Sequence, residues 1–476
     1  MTRTISSVHG QWSTRLIFIL AATGSAVGLG NIWKFPYITG INGGGAFVLV
    51  YLLCIAVIGI PIMMAEIMLG RRGRQDPINT MRTLAKESGH SQYWAILGWM
   101  GVIAGFLILS YYSVIAGWAL AYVPRVASGM FIDQEAAGIK SIFTDLISDP
   151  ERLIAWHSLF MFMTMTVVAR GVKNGLEQAV RYLMPLLMVL LLVLLFYSFQ
   201  SGSFMQGVEF LFKPDFSKLT AEGVLSAMGH AFFTLSLGMG AIMVYGSYLP
   251  SHTSIASSAI WIAIMDTLVA LVAGLVIFPI VFANSLEPAA GPGLIFETLP
   301  LAFGHMPYGS FFGSLFFILL VFAAWTSSIS LIEPAVVWSM DKFELSRVCV
   351  SMYLGILVWT LGLLSLFSFN ILADITFSLS ILSDYGEFVI LKSSTFFDVF
   401  DYLTSNIMLP LGGLCIAVYA GWLMKRHASE DEFDLNPVLY SIWYFLVRYI
   451  APISVIIVFM NAIGIIKYIQ KITGVA

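Results

Sequence analysis

The stretches Gly24-Ser25-Ala26-Val27-Gly28-Leu29-Gly30-Asn31 and Thr234-Leu235-Ser236-Leu237-Gly238-Met239-Gly240 decide how this chain is read. Each interrupts an apolar run long enough to cross a bilayer as a helix, the first at 14–38 and the second at 224–248. Glycines and small polar residues loosen a helix there, and freed backbone groups at that depth are tolerated only where protein, water or a ligand satisfies them. The second interruption lies five helices after the first. An odd offset inverts one set of helices against the other, and paired breaks in two inverted halves point to a carrier's binding site. Gly24 and Gly28 also spell GxxxG, a close-packing face between membrane helices. The second break favours the ligand reading. Gly28-Leu29-Gly30 opens a dinucleotide fingerprint, but the third glycine and the strand-to-helix context are missing.

The rest of the chain supplies the membrane context. Of 476 residues, 59% are hydrophobic and 11% charged, and the mean hydropathy is +0.88, a balance suited to a bilayer. Helical spans are expected at 14–38, 43–70, 93–125, 152–170, 176–199, 224–248, 256–284, 309–340, 346–369, 398–424 and 437–467. The first is not a signal peptide, since it lacks a small-residue cleavage site and carries Gly24, Gly28, Gly30, Asn31 and Pro36. Connections on the N-terminal side hold the larger share of the 24 Lys and Arg, which predicts a cytoplasmic N-terminus and an external C-terminus. The opposite loops, 126–151, 200–222, 285–308 and 370–397, are acidic, with Asp133, Glu135, Asp145, Asp149, Asp384 and Glu387. A net charge of −3 and no basic tract beyond Arg71, Arg72 and Arg74 argue against nucleic acid. Cys54, Cys349 and Cys415 fall in apolar runs and read as small buried side chains.

Asp266 sits deep in the run Ile255 to Phe282, where an unpaired carboxylate costs about 2.5–3.5 kcal/mol. It requires a partner. Hydroxyls such as Thr326, Ser327 and Ser328 in a helix often bond back to a carbonyl one turn earlier. A dehydrated sodium ion needs several oxygens, and carbonyls, hydroxyls and a carboxylate supply them without thiolate or imidazole. Glu66, after Pro61, is read as a structural carboxylate bonding backbone near a broken helix. His230, one turn before Thr234, is read as a hydrogen-bonded side chain.

Taken together, Trp12-Ser13-Thr14-Arg15-Leu16, Gly24 to Pro36, Asn42-Gly43-Gly44-Gly45-Ala46-Phe47, Gly59 to Glu66, Phe232 to Gly238, Gly291-Pro292-Gly293 and Thr326-Ser327-Ser328 resemble the neurotransmitter:sodium symporter family, in its order and across nearly the whole chain. The resemblance implies an all-α polytopic membrane protein with the LeuT-type five-plus-five inverted repeat: a first repeat over 14–199, a second over 224–424 and an additional eleventh helix over 437–467. It is similar to the shorter, eleven-span prokaryotic members, which implies a cytoplasmic (inner) membrane. The implied activity is sodium-coupled symport of a small amino acid by alternating access, with no enzymatic chemistry and no cofactor beyond co-transported sodium.

The resemblance also implies site residues. The first sodium site would use Ala26, Asn31, Thr234, Asp266 and the substrate carboxylate, and the second Gly24, Val27, Ala323, Thr326 and Ser327. At the position of Asp266 chloride-dependent members have Asn, with Ser one turn later where this chain has Ala270. Asp266 is therefore expected to supply the charge that chloride supplies elsewhere, and once sodium leaves, such a carboxylate tends to take a proton. Gly28, where amine carriers place Asp, leaves room for a carboxylate that Tyr112 would bond, while carbonyls near Phe233, Thr234 and Ser236 would take the ammonium. Ala26 and Gly30 complete the backbone side. Ile108, Phe233, Met239, Ser327 and Leu331 would surround a hydrophobic or aromatic side chain.

An outer gate would pair Lys34 with Asp401, Lys lacking the fork of the family's Arg. An inner gate would place His9 against Asp341, with Trp12, Tyr248 and Glu333 beside them. Alternatives are a proton-coupled carrier, a channel, or a non-transporting substrate sensor on the same scaffold. A membrane enzyme would need an HExxH, a GxSxG or a Cys/His cluster, and the sequence has none.

Overall fold

A computed structural model describes residues 10–287, 293–383, 386–433, 435–466 and 468–469. His9, Gly291, Pro292 and Asp384 lie outside the described residues. Among those described, nine helices are long and apolar enough to cross a membrane, and the pair Arg15–Ala26 and Gly30–Ile41, bent by 55°, makes a tenth. Residues expected as one crossing at 224–248 form two short helices, Ala221–Thr234 and Ala241–Ser247.

Backbone chemistry explains both breaks. The first helix stops where Val27 turns extended, at φ −69° and ψ 107°. The second stops where Ser236, Gly238 and Gly240 all take positive φ, at 55°, 80° and 75°. Gly238 is also a point of close approach, since a Cβ there would lie 2.7 Å from the carbonyl oxygen of Leu409. Prolines widen helices elsewhere with a regular spacing. Pro36, Pro61, Pro300, Pro410 and Pro452 each lie two residues beyond a π-type turn, ending at Lys34, Gly59, Thr298, Met408 and Ile450. A proline cannot donate to the carbonyl four residues back and crowds it, so the preceding turn opens.

The long helices Gln92–Ala127 and Gly309–Phe343 pack along one another and flank the broken pair. Large apolar side chains face outward on peripheral helices, as Val348, Met352 and Ile356 do along Arg347–Phe367, which suits a lipid surround. Cys349 is exposed on that same helix and Cys415 is half-buried, so only Cys54 fits the expected buried cysteine. The cause is position, because an apolar run on the periphery presents one face to lipid. Within the stretch expected as a plain loop at 370–397, Phe377–Ser383 and Gly386–Ser394 form an antiparallel hairpin.

Candidate functional site

Three buried polar side chains meet where both helices break. Asn31 comes from the wide turn Gly30–Lys34, Thr234 from the last position of Ala221–Thr234, and Asp266 from the middle of Ile255–Ala283. The Asn31 amide donates to Asp266 Oδ1 at 2.8 Å, to the Asp266 carbonyl at 3.2 Å and to Thr234 Oγ1 at 3.1 Å. The Thr234 hydroxyl donates to Asp266 Oδ2 at 3.0 Å, and the Gly28 N–H donates to Asn31 Oδ1 at 3.1 Å. Both carboxylate oxygens are thereby engaged, which answers the need for a partner. The cluster offers oxygen ligands of the kind a hard monovalent cation takes.

A second oxygen cluster joins the first broken helix to Gly309–Phe343. Thr326 and Ser328 bond back within their own helix, Thr326 to the carbonyls of Phe322 and Ala323 and Ser328 to that of Ala324. Ser327 behaves differently. Its hydroxyl crosses to the carbonyls of Val27 at 3.0 Å and Gly24 at 3.3 Å. Gly24 permits the approach, since a Cβ there would sit 3.3 Å from Thr326 Cβ and 3.1 Å from Met184 Sδ.

Between these clusters lies a cavity of about 300 Å³ lined by Ala26, Gly28, Gly30, Ile108, Tyr112, Phe233, Thr234, Ser236, Met239, Ser327 and Leu331. A Cβ at Gly28 would come within 2.6 Å of Ser327 Oγ and 2.8 Å of the Tyr112 hydroxyl oxygen. The Tyr112 hydroxyl accepts the Leu29 N–H at 3.2 Å, which pins the phenol to the break while leaving its proton to donate. Ser236, despite its positive φ, is held by donation to the Ser25 carbonyl at 2.9 Å. The Gly238 N–H donates to buried Glu66 at 3.1 Å, so this carboxylate satisfies backbone that the second break frees. Trp33, Tyr37, Tyr111, Ile115 and Phe397 also line the cavity. Sequence reasoning passed over them, having only their aromatic or apolar character as a signal.

Lys34 and Asp401 stand at one end of the cavity without pairing, contrary to expectation. Each is held by other partners. The Lys34 ammonium lies 4.5 Å over the Phe233 ring, while Asp401 accepts from Ser405 at 2.9 Å and from Tyr111 at 3.3 Å. On the N-terminal side of the first break, outside the cavity lining, the Trp12 indole donates to the Tyr245 carbonyl at 3.0 Å and its backbone N–H to the Tyr248 carbonyl at 3.1 Å. The Tyr248 hydroxyl donates to Glu333 at 2.9 Å, and Glu333 pairs with Arg347. Arg347 was not anticipated, lying beyond a chain turn with no local pattern to mark it. Asp341 is exposed near the end of its helix, on the side of Asp76.

A profile described as the sodium:neurotransmitter symporter family matches residues 9–131 and 130–472. This chain belongs to the sodium:neurotransmitter symporter family. It is 37% identical over 462 residues to YhdH of Bacillus subtilis, an uncharacterized sodium-dependent transporter, covering 96% of this chain and 98% of that one. An uncharacterized sodium-dependent transporter of Haemophilus influenzae is 34% identical over 462 residues, with 94% and 97% covered. The crystal structure of MhsT in complex with L-phenylalanine matches with a TM-score of 0.84 at 44% identity, covering 95% of this chain and 99% of that one. The symporter therefore has the LeuT-type fold and spans a membrane many times. Its family consists of sodium-coupled transporters and not enzymes, so sodium is cargo and no cofactor is implied.

Proposed function

We propose that this symporter imports a hydrophobic or aromatic amino acid together with sodium, by alternating access and without a requirement for chloride. The observation that carries the reading is the meeting of Asn31, Thr234 and Asp266 at two helix breaks, beside a cavity whose apolar end is lined by Ile108, Phe233, Met239 and Leu331. In this reading Ala26, Asn31, Thr234 and Asp266 take the first sodium with the substrate carboxylate, which couples ion to cargo. Gly24, Val27, Ala323, Thr326 and Ser327 take the second, where Ser327 already gathers two carbonyls of the broken helix.

Gly28 and the Tyr112 hydroxyl bound the place for the substrate carboxylate. Carbonyls around Phe233, Thr234 and Ser236, at the second break, receive the ammonium. The apolar lining has the size and character of sites that accept drug-sized guests, and MhsT, alike over 95% of this chain, holds L-phenylalanine. Two inverted repeats, 14–199 and 224–424, with the helix 437–467 added, would give eleven crossings, a cytoplasmic N-terminus and an external C-terminus in a prokaryotic inner membrane. Asp266 supplies negative charge in cis, and Ala270 one turn later carries no hydroxyl for an anion.

The test is uptake of labelled L-phenylalanine into proteoliposomes under a sodium gradient, with potassium substituted for sodium and gluconate for chloride. Uptake abolished by potassium and indifferent to gluconate is the expected result. Uptake that persists in potassium and follows a proton gradient identifies a proton-coupled carrier, while saturable binding with no flux identifies a sensor.

A further inference from the structure

His230, expected to be hydrogen-bonded, stands between the rings of Phe35 and Tyr51, at 5.9 and 5.5 Å, with neither ring nitrogen bonded, so ring packing places it. Glu177 is the opposite case. This carboxylate is 5% exposed, and its Oε1 accepts the Ser13 N–H at 2.7 Å. Among the described residues no cation pairs with it. It opens the helix Glu177–Phe199, just after the wide turn Val172–Leu176, where the free N–H groups of a helix start favour a negative charge.

The neighbours of Ser13 are tied elsewhere. Trp12 is bonded to the carbonyls of Tyr245 and Tyr248, and the Arg15 guanidinium donates to the hydroxyls of Ser257 and Ser258 at the start of Ile255–Ala283. Three helices therefore grip the entry of Arg15–Ala26. The grip from Glu177 differs because parting would leave a buried anion without a partner, a state tolerated only once water reaches it. The contact has two stable forms, bonded and dry or parted and wet. Two turns further along Glu177–Phe199, Met184 lies against Gly24, whose carbonyl accepts from Ser327 in the second oxygen cluster. The seam between the two helices thus runs from Glu177 at its mouth to that cluster.

We propose that Glu177 is the positioning residue that latches the first broken helix: bonded to Ser13 it keeps this seam shut, and its release, with entry of water, frees the way from the second cation cluster. The inference rests on the reading of that cluster as a sodium site in an alternating-access carrier. Sodium there holds Gly24 and Val27 against Ser327, so ion and latch favour the same closed arrangement.

Hydrogen–deuterium exchange of the intact purified protein, read on a peptide spanning residues 11–17, tests this. In potassium, Glu177→Ala should exchange this peptide about tenfold faster than the unmodified chain, the effect of losing one hydrogen bond to a charged group. Glu177→Gln keeps an acceptor oxygen and should stay within about threefold. Sodium should slow the peptide in the unmodified chain and return Glu177→Ala most of the way to that rate. An unaccelerated Glu177→Ala would overturn the latch. So would an acceleration that sodium fails to reverse while still slowing the unmodified chain, because the segment would then have unfolded and not opened. Absence of any sodium effect on the unmodified chain bears instead on the sodium reading, so the two failures are distinct.

Discussion

Replacing Asp266 by Asn isolates the charge that the cluster would contribute to the proposed first sodium site. The amide has the carboxylate's size and can keep its neighbours: its oxygen accepts from Asn31, as Oδ1 now does at 2.8 Å, and its NH2 donates to the Thr234 oxygen 3.0 Å away. The fold should therefore survive, and what is lost is one unit of charge. Opposite unit charges about 4 Å apart attract by about 4 kcal/mol at an effective dielectric constant of about 20. The amide dipole recovers part of this, so a net loss of about 2–4 kcal/mol is expected, or roughly 30- to 1000-fold in sodium affinity. Binding of labelled L-phenylalanine to purified protein, titrated with sodium at constant ionic strength in gluconate and again in chloride, measures it. The unmodified chain should be indifferent to the anion, whereas Asp266→Asn should need far more sodium in gluconate and recover partly in chloride. An unchanged half-saturating sodium concentration would refute the reasoning, and so would chloride dependence of the unmodified chain.

Gly28→Ala should fold but bind substrate at least about tenfold more weakly, since its methyl would sit 2.6 Å from Ser327 Oγ and 2.8 Å from the Tyr112 oxygen, in the place assigned to a carboxylate. Equilibrium binding checks this, and unaltered affinity would remove Gly28 from the site. Asp76 outside the spans caps Pro77–Ser88 by accepting the N–H groups of Ile78 at 2.9 Å and Asn79 at 3.1 Å. Burial, opposed by bonds from Asn79, holds its carboxyl above the usual carboxylate range. With the folded value raised above the unfolded one, stability is lost as pH rises from about 4 through the folded value. Asp76→Asn keeps the cap and should abolish that slope, while Asp76→Ala should cost about 1 kcal/mol. Thermal denaturation across this range distinguishes them, and equal melting temperatures for the two variants would refute the capping role.

What the sequence made legible was whatever has a local signature. Glycines at 24, 28, 238 and 240 announce the breaks, and a lone carboxylate at 266 within an apolar run announces a buried polar cluster, because few other arrangements of those residues are physically tolerable. Partners chosen across space left no such mark. Tyr111 and Tyr112 are adjacent and alike in sequence, yet one bonds Asp401 and the other the break at Leu29. Which face of a helix each occupies depends on packing that no short window encodes. Similarly, Thr326, Ser327 and Ser328 form one uniform hydroxyl run, but only Ser327 crosses to the broken helix. The five proline-spaced wide turns did carry a readable signal, since proline forbids the bond that a regular turn would make.

The two gates expected of this chain rest on different physics. At the Trp12 end, aromatic packing does most of the holding: Trp12 lies edge-on to Tyr245 and Tyr248, at 5.2 and 5.8 Å, and its two N–H groups are bonded. The buried Glu333–Arg347 pair adds little net stability, since desolvating both charges offsets their attraction. Water admitted there would solvate the freed charges, so the pair favours one alignment without locking it. At the other end, Lys34 and Asp401 already have separate partners, and closing it by an ion pair requires Lys34 to leave Phe233 and Asp401 to loosen from Tyr111 and Ser405. Phe233 lines the substrate cavity as well as lying beneath Lys34. A guest that presses on the Phe233 ring would thus also disturb the Lys34 cation above it, linking occupancy to this end through one side chain.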